Sequence, residues 1–228
     1  MVKIPGTSKC ENNIKALNLL DKESLELINS SKIIINYKPD ETIIKQGSRA
    51  NQALIIQSGF TKIFVEGEQN RSLVIRYAKE GDFLGISGIF TDNIYTFSVS
   101  AVDHCKVCFV DFDIISGLID KKPAFGRELL KLLSIEKSQM HSKFICLTQK
   151  QVPGRVANAL LYLNNEVFKN IDRKLIAGRT EIAELTGMTK DSAGRVLKDF
   201  QDEGIISFSG KVIILKNIEK LEQIRNLG

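Results

Sequence analysis

The segment Arg179–Lys198, RTEIAELTGMTKDSAGRVLK, decides the fold, because it contains two short amphipathic helix patterns on either side of Gly187. In the first pattern Ile182 and Leu185 share one side, and Gly187 can adopt the positive φ angle of a sharp turn. Thr189 has a hydroxyl group that can accept a backbone N–H at the start of the second helix. The segment therefore predicts two helices joined by a tight turn.

The second helix of this segment has one apolar face and one charged face. The apolar side chains recur with the period of a buried helix face, at Ala193, Val196, Leu197 and Phe200. The first turn and the opposite face carry Lys190, Asp191, Ser192, Arg195 and Lys198. This arrangement is typical of a recognition helix that enters the major groove of DNA, although an ordinary solvated helix face also carries such charges.

The chemistry of the charged face predicts separate roles for its residues. Arginine can donate two hydrogen bonds to guanine, and aspartate can accept one from cytosine. We therefore expect Arg195 to contact a base, and Asp191 either to contact a base or to orient a neighbouring side chain. Lys190 suits a phosphate or a base, and Thr189 and Ser192 lie beside it at the helix N-terminus. We expect phosphate contacts from Arg179, Lys198 and Lys211.

The residues after Gly204, IISFSGKVIIL, predict two strands joined by a turn at Gly210, with Lys211 at its tip. A helix-turn-helix followed by a β-hairpin is a winged helix. The whole segment resembles the C-terminal domain of the CRP/FNR family of regulators. That family shows the same order of Arg, acidic residue, apolar pair, Gly, small capping residue and basic-acidic-x-x-x-Arg. The resemblance implies a DNA-binding domain.

The N-terminal half alternates short apolar segments with turn residues, which predicts an antiparallel β-roll of the jelly-roll kind, with further strands at Ser72–Tyr77 and Tyr95–Val110. The strings YKPDETIIKQG, LIIQSGFTKIFV and YAKEGDFLGISGIF resemble the cyclic-nucleotide-binding β-roll of the same family in order and spacing. The resemblance therefore extends from Ile33 to Leu215. It implies an α+β chain with an N-terminal β-roll, a long dimerisation helix and a C-terminal winged helix-turn-helix.

The chain departs from this family in the binding pocket. In members that bind cyclic nucleotides, the resemblance implies a Glu for the ribose and an Arg-Ser pair for the phosphate. This chain has Ile86 at the first position and Tyr95-Thr96 at the second. Because Arg pairs a charged phosphate bidentately and these residues cannot, we expect neither cAMP nor cGMP to be the effector. An unidentified small molecule is expected in a pocket formed by Phe83, Leu84, Gly85, Ile86, Ser87, Tyr95, Thr96, Met140 and His141.

The cysteines argue against an iron–sulfur cluster, which needs several clustered thiolates. Cys10 alone lies near the N-terminus, Cys105 and Cys108 lie three apart on a predicted strand and should face opposite sides, and Cys146 lies among apolar residues. A haem, nitric-oxide or redox sensor of the same family remains an alternative, with His141 as the candidate axial ligand. The cofactor is left open.

From Ala124 to Gln151 the apolar residues keep a helical spacing, and the helix is longer than a monomeric domain of this size needs. This apolar stripe predicts a parallel contact between two copies of the helix in a homodimer. The alternative is a helix that packs only within its own chain. The predicted interface residues are Leu129, Leu132, Leu133, Glu136, Met140, Phe144 and Leu147. Pro153-Gly154 predicts a hinge. The expected domains are a β-roll at 1–119, a dimerisation helix at 120–152 and a winged helix-turn-helix at 153–228.

Composition excludes several classes of protein for these 228 residues. No apolar run approaches the length of a membrane span and no signal peptide is evident, so we expect a cytoplasmic location. With only two histidines, His104 and His141, a zinc enzyme, a cupin-like enzyme or a catalytic triad is not expected. The net charge of +5 permits nucleic-acid binding, but residues 151–228 hold 12 Lys and Arg against 10 Asp and Glu, so the basicity is not concentrated there.

We therefore predict a sequence-specific regulator of transcription, and not an enzyme. It would bind double-stranded DNA as a homodimer on a near-palindromic site and contact RNA polymerase. A nucleotide-binding regulatory protein that acts through a protein partner is the weaker alternative, because it leaves the winged domain unexplained.

Overall fold

The computed structural model describes residues 14–68, 71–168, 173–210 and 212–227, so the predictions on Cys10 and Lys211 lie outside the described residues. The chain forms two compact units. The N-terminal unit contains the residues up to Ile63 together with Tyr77–Lys137, and the C-terminal unit contains Phe64–Arg76 and Ser138–Gly228. Within the described ranges, no helix combines the length and the apolar character that crossing a membrane requires.

Short strands follow a 3-10 turn at Leu17–Leu19 and helix α1, Lys22–Ser31. They are β1 Ile33–Tyr37, β2 Thr42–Ile44, β3 Gln52–Ser58, β4 Thr61–Glu66, β5 Ser72–Ala78, β6 Phe83–Leu84, β7 Ser98–Ala101 and β8 Cys105–Asp111. One sheet has the order β1-β8-β3-β6 and the other has the order β2-β7-β4-β5. The pairing of β1 and β3 with β8 is antiparallel, with Ile33 opposite Phe109 and Ile55 opposite Cys108. The predicted antiparallel roll is confirmed.

The predicted strand at Tyr95–Val110 is wrong in one respect, because a tight turn divides it into β7 and β8. The Asp103 carboxylate accepts the N–H of Phe60 at 2.7 Å and stabilises this turn. Gly59 has a φ of 83°, and a Cβ there would lie 2.5 Å from the carbonyl oxygen of His104. Only glycine fits at this approach of two turns.

Two helices complete the N-terminal unit, α2 at Phe112–Lys121 and the first part of α3, Pro123–Gln149. Phe112 packs over Gly88, where a Cβ would lie 2.8 Å from the ring. Asp21 caps α1 by accepting the N–H of Ser24 at 3.0 Å, and it also accepts a hydrogen bond from Lys122. These hydrogen bonds hold the pKa of Asp21 well below its usual range, and the bond from Lys122 contributes most to this shift.

The C-terminal unit continues with α4 Val152–Tyr162, a π-helical turn at Leu163–Val167, β9 Lys174–Ile176, α5 Arg179–Thr186, α6 Lys190–Asp202, β10 Ile206–Ser209, β11 Val212–Leu215 and α7 Ile218–Leu227. The strand order is β10-β11-β9, so β9 adds a third strand to the predicted hairpin. The sequence pattern predicted the hairpin alone and did not indicate β9, which pairs with β11 at the edge of the hairpin. Helix α7 packs on α4.

The predicted break at Pro153-Gly154 falls inside α4, and the two helices are separated at residues 150–151 instead. Helix α3 ends at Gln149 and α4 begins at Val152, so Pro153 occupies the first turn of α4. Proline is tolerated there because the first N–H groups of a helix have no intrahelical acceptor.

Two buried hydroxyls of the roll differ in their hydrogen bonding, which leads to a prediction on stability. Thr61 and Ser98 are both 0% exposed. Ser98 Oγ accepts the N–H of Gln46 at 2.9 Å, whereas Thr61 Oγ1 has no hydrogen-bond partner among the described residues. Thr61→Val should therefore raise the free energy of unfolding by about 1 kcal/mol, and Ser98→Ala should lower it. Urea denaturation measures both, and a loss of stability in Thr61→Val would contradict the assignment.

Candidate nucleic-acid interface and effector pocket

The two helices of the predicted helix-turn-helix meet at Gly187. This residue has a φ of 64°, and the N–H of Met188 donates to the carbonyl of Ala183 at 3.0 Å, which closes the end of α5. Thr189 Oγ1 accepts the N–H of Ser192 at 3.2 Å and caps α6. The predicted turn and the predicted cap are confirmed. Together they determine the angle at which α6 leaves α5.

Helix α6 buries one face and exposes the other, as the periodicity predicts. The buried residues are Ala193, Val196, Leu197 and Phe200. The exposed side chains are Lys190, Asp191, Arg195 and Lys198, and Thr189 and Arg179 are exposed as well. Ser192 is half-buried beside Thr189. Its backbone N–H donates to Thr189 Oγ1, and its own hydroxyl oxygen accepts a hydrogen bond from the Thr189 hydroxyl. The roles of these residues in DNA binding stay predictions.

A cleft of about 800 Å³ separates α6 from the start of α5 and from the β10–β11 hairpin. Its lining is Ala177, Gly178, Arg179, Glu181, Gly194, Lys198, Gln201, Phe208 and Gly210. The Glu181 carboxylate accepts the N–H of Gly178 at 2.7 Å, so its negative charge stabilises the N-terminus of α5. Arg179 and Lys198 are the cations of this lining. The sequence analysis did not identify Phe208, which only the fold of the hairpin brings to the cleft.

Three cations at the end of α3 and the start of α4 bond to carbonyls near the ends of α5, α7 and α3, and the sequence pattern did not indicate them. Lys143 Nζ donates to the carbonyl of Leu185 near the end of α5, at 2.5 Å. Lys150 Nζ donates to the carbonyl of Arg225 near the end of α7, and Arg155 Nε donates to the carbonyl of Lys150 at 2.9 Å. Each cation thus neutralises the negative end of a helix, where carbonyls lack intrahelical partners.

Lys143 is half-buried, and its ammonium group lies against the end of α5. Loss of hydration on burial lowers the pKa of its ammonium group from 10.5 to about 8. Burial raises the pKa of the neighbouring Cys146 thiol, partly offset by the charges of the three cations. Cys146 is therefore a packed, protonated thiol, in agreement with its interpretation as a small apolar residue.

The faces of α3 differ from the predicted dimer seam. Leu129 is 2% exposed and lies in the core of the β-roll of its own chain, so its prediction as an interface residue is wrong. Leu132 and Leu133 pack against the same core, and Glu136 and Leu147 are half-buried. The exposed apolar strip instead contains Leu130, Met140 and Phe144, which are 62%, 55% and 69% exposed. The sequence analysis missed Leu130 because both faces of this helix are apolar.

The predicted effector residues of the roll are mostly covered. Phe83, Leu84, Gly85, Ile86 and Tyr95 are buried, whereas Ser87, Thr96, Met140 and His141 are exposed. Ile86 is 2% exposed and follows Gly85, whose φ of 80° starts a 3-10 turn. Tyr95 is 7% exposed and donates its hydroxyl hydrogen to the carbonyl of Gln52 at 2.5 Å. Its ring would lie 3.4 Å from a Cβ at Gly85, so it packs directly against the turn.

The two cysteines of β8 are both buried. Cys105 Sγ donates to the carbonyl of Phe60 at 2.9 Å, and burial raises the pKa of its thiol to about 11. In the part of the chain that the structure describes, no group of three or more His, Cys, Asp or Glu residues is arranged to hold a metal ion.

Comparison with known proteins assigns a family to each half of this architecture. Residues 34–122 match the cyclic nucleotide-binding domain, and residues 154–224 match the Crp-like helix-turn-helix domain. The "cAMP-activated global transcriptional regulator CRP" of Salmonella typhimurium is 27% identical over 196 residues, covering 84% of this chain and 93% of that protein.

Two solved structures share the fold. A CRP/FNR-family transcriptional regulator from Eubacterium rectale superposes with a TM-score of 0.82 at 19% identity, covering 95% of this chain and 100% of that one. The c-di-GMP responsive global regulator CLP of Xanthomonas campestris has a TM-score of 0.76 at 24% identity, covering 86% and 99%.

A cyclic-nucleotide-binding type of β-roll followed by a Crp-like helix-turn-helix defines a DNA-binding regulator of transcription. The described interface agrees with this class, because its recognition helix exposes a charged face. The chain belongs to the CRP/FNR family, whose members are regulators and not enzymes.

Burial of Lys143 predicts a pH-dependent stability. Below pH 8 the ammonium is protonated in the folded and unfolded chains, so its contribution does not vary with pH. Between about pH 8 and pH 10.5 the unfolded chain holds a proton that the folded chain has released. The free energy of unfolding should therefore rise relative to that of Lys143→Met, by at most about 1.4 kcal/mol per pH unit.

Urea denaturation of both proteins across this pH range measures the difference. Lys137→Met, at an exposed lysine of the same helix, is the control and should show no such divergence. Parallel stability curves for the wild type and Lys143→Met would contradict the burial of this ammonium group.

Proposed function

We propose that the protein is a homodimeric regulator that binds a near-palindromic DNA site in the cytoplasm, under the control of an effector other than cAMP. The observation that carries this proposal is the exposed face of α6, where Lys190, Asp191 and Arg195 surround a capped N-terminus. Two such helices would enter successive major grooves about 34 Å apart on one face of the DNA. In this position the dimer would contact RNA polymerase.

The proposed contacts divide into base readout and phosphate binding. Arg195 lies one turn into α6 and is exposed, which suits a bidentate contact to guanine, and Asp191 would read or orient beside it. Arg179 and Lys198 lie at the cleft between α6 and the hairpin, which suits a DNA backbone. Lys190, Thr189 and Ser192 would contact the DNA at the helix N-terminus.

The exposed strip of α3 supports a dimer. Leu130, Met140 and Phe144 are large apolar side chains with more than half of their surface in solvent. A second copy of α3 in parallel would cover them, since side chains at this spacing form the seam of a two-helix coiled coil. The effector would act by binding two arrangements of the dimer with different affinities.

The covered turn of the β-roll supports an effector other than cAMP. A cyclic phosphate needs a cation or several donors. At the expected phosphate position Tyr95 is buried and already donates to Gln52, and the expected ribose position holds the buried, apolar Ile86. Similar proteins are named for different nucleotides, cAMP for the Salmonella regulator and c-di-GMP for the Xanthomonas regulator. Proteins similar to this chain therefore respond to more than one nucleotide.

Selection of bound fragments from genomic DNA tests the proposed function. The expected result is a two-fold symmetric motif whose half-sites lie one helical turn apart. If the free protein enriches no motif, repeating the selection with cell extract separates a required effector from a wrong assignment. Failure to enrich a motif in either case contradicts the proposal.

Arg195→Ala on the recovered site tests base readout. We expect a loss of about 1–3 kcal/mol on that site and relaxed specificity at one position, because a bidentate base contact is removed. Lys198→Ala is the matched control, and it should weaken binding to all sequences while reducing the salt slope by about one. Anisotropy titrations against the recovered site and random DNA measure both. An equal loss on both DNAs for Arg195→Ala would refute base readout.

Isothermal calorimetry with cAMP tests the effector assignment. No saturable binding at micromolar concentrations is expected, because Tyr95-Thr96 at the expected phosphate position offers no cation, which leaves the charge of a buried phosphate uncompensated. The cAMP-activated regulator of Salmonella typhimurium serves as the positive control in the same buffer. Saturable micromolar binding of cAMP to this chain would overturn the assignment.

A further inference from the structure

The middle of the recognition helix contains a glycine that helix formation disfavours. Gly194 lies within α6, Lys190–Asp202, and glycine is among the poorest helix formers because it loses the most backbone entropy. The residue is half-buried, and its neighbours Ala193 and Arg195 point to the buried and exposed faces. A glycine at such a position needs a packing reason.

The side chain of Arg179 supplies this reason. A Cβ built on Gly194 would lie 3.3 Å from Arg179 Cδ, 3.5 Å from its Nε and 3.8 Å from its Cζ. The stem and guanidinium of Arg179 therefore lie across the backbone of α6 at the point where it has no side chain. A methyl group there would push the stem away, because 3.3 Å is closer than an ordinary carbon–carbon contact.

The contact between Gly194 and Arg179 lies in the cleft beside α6, which indicates a role in binding. Arg179 and Gly194 both line the cleft of about 800 Å³ beside α6, together with Lys198. Glu181 also lines the cleft, but its carboxylate is engaged by the N–H of Gly178 at 2.7 Å. Arg179 is the first residue of α5 and is exposed, so without a support its long side chain would sample many rotamers.

We propose that Gly194 is a positioning residue for DNA binding. Its missing side chain forms a seat that holds the Arg179 guanidinium flat against the recognition helix, aimed at a DNA phosphate beside Lys198. The seat reduces the entropy that Arg179 loses when it binds. This inference rests on the proposed role of Arg179 in the nucleic-acid interface.

A double-mutant cycle tests the seat with Gly194→Ala, Arg179→Ala and the double variant, titrated against the selected DNA site at several salt concentrations. Gly194→Ala should raise the thermal midpoint by about 2–4 °C, because alanine favours the helix, and should weaken DNA binding about three- to tenfold. Arg179→Ala should reduce the slope of log affinity against log salt by about one. In the Arg179→Ala background, Gly194→Ala should change the affinity less than about twofold.

Gly117→Ala is the matched control, because Gly117 also lies inside a helix and a Cβ there meets nothing within 4 Å. It should raise the thermal midpoint and leave DNA binding unchanged. An equal loss of affinity from Gly194→Ala in both backgrounds would overturn the seat and show that the glycine admits the DNA itself. Unchanged binding by Gly194→Ala alone would also overturn it.

The experiments distinguish a wrong assignment of Gly194 from a wrong proposed function. If the wild type selects a symmetric site and Arg179→Ala binds that site normally, the seat is refuted while the proposed function stands. If the wild type selects no site with or without extract, the proposed function fails first.

Discussion

A hydrogen bond from the ammonium of Lys143 to the carbonyl of Leu185 connects helix α3 to the end of α5, and the turn at Gly187 then sets the direction of the recognition helix α6. A charge placed this deeply is tolerated because it meets carbonyls that the helix cannot satisfy itself. A Cβ at Gly187 would lie 3.5 Å from Leu147 and 3.7 Å from Leu73, so the turn between α5 and α6 also packs on α3 and on the β4–β5 segment. This part of α3 therefore meets the helix-turn-helix through a polar and an apolar contact.

The helix-turn-helix and the β-roll of this chain differ in which side chains they expose. The recognition helix has a capped start, a buried apolar face and exposed cations. In the roll, Ile86 and Tyr95 are both buried, and the hydroxyl of Tyr95 is already bonded to the carbonyl of Gln52. DNA recognition requires exposed donors at fixed angles, whereas effector recognition depends on the lining of an interior, so one can persist while the other changes.

Periodicity predicted the elements of this fold well where one face of an element is apolar and the other is polar. Helix α6 is such a case, and its buried and exposed faces agree with the pattern. Helix α3 is not, because apolar residues occur on two faces, and sequence spacing alone put Leu129 in the predicted interface although the roll covers it, and did not single out the exposed Leu130. Strand β9 was also missed, because a three-residue strand has too little pattern and exists only through its pairing with β11.

By itself the sequence determined the order of the domains, the turn at Gly187, the cap at Thr189 and the faces of α6, because these features depend on residues within a few positions of each other. Only the tertiary structure decided which lysine and arginine side chains donate to which carbonyls. It also decided which face of α3 the roll covers and where the Arg179 side chain lies. Lys143 and Leu185 are far apart in sequence, as are Arg179 and Gly194. Such contacts follow from how the elements pack, and no local pattern in the chain encodes them.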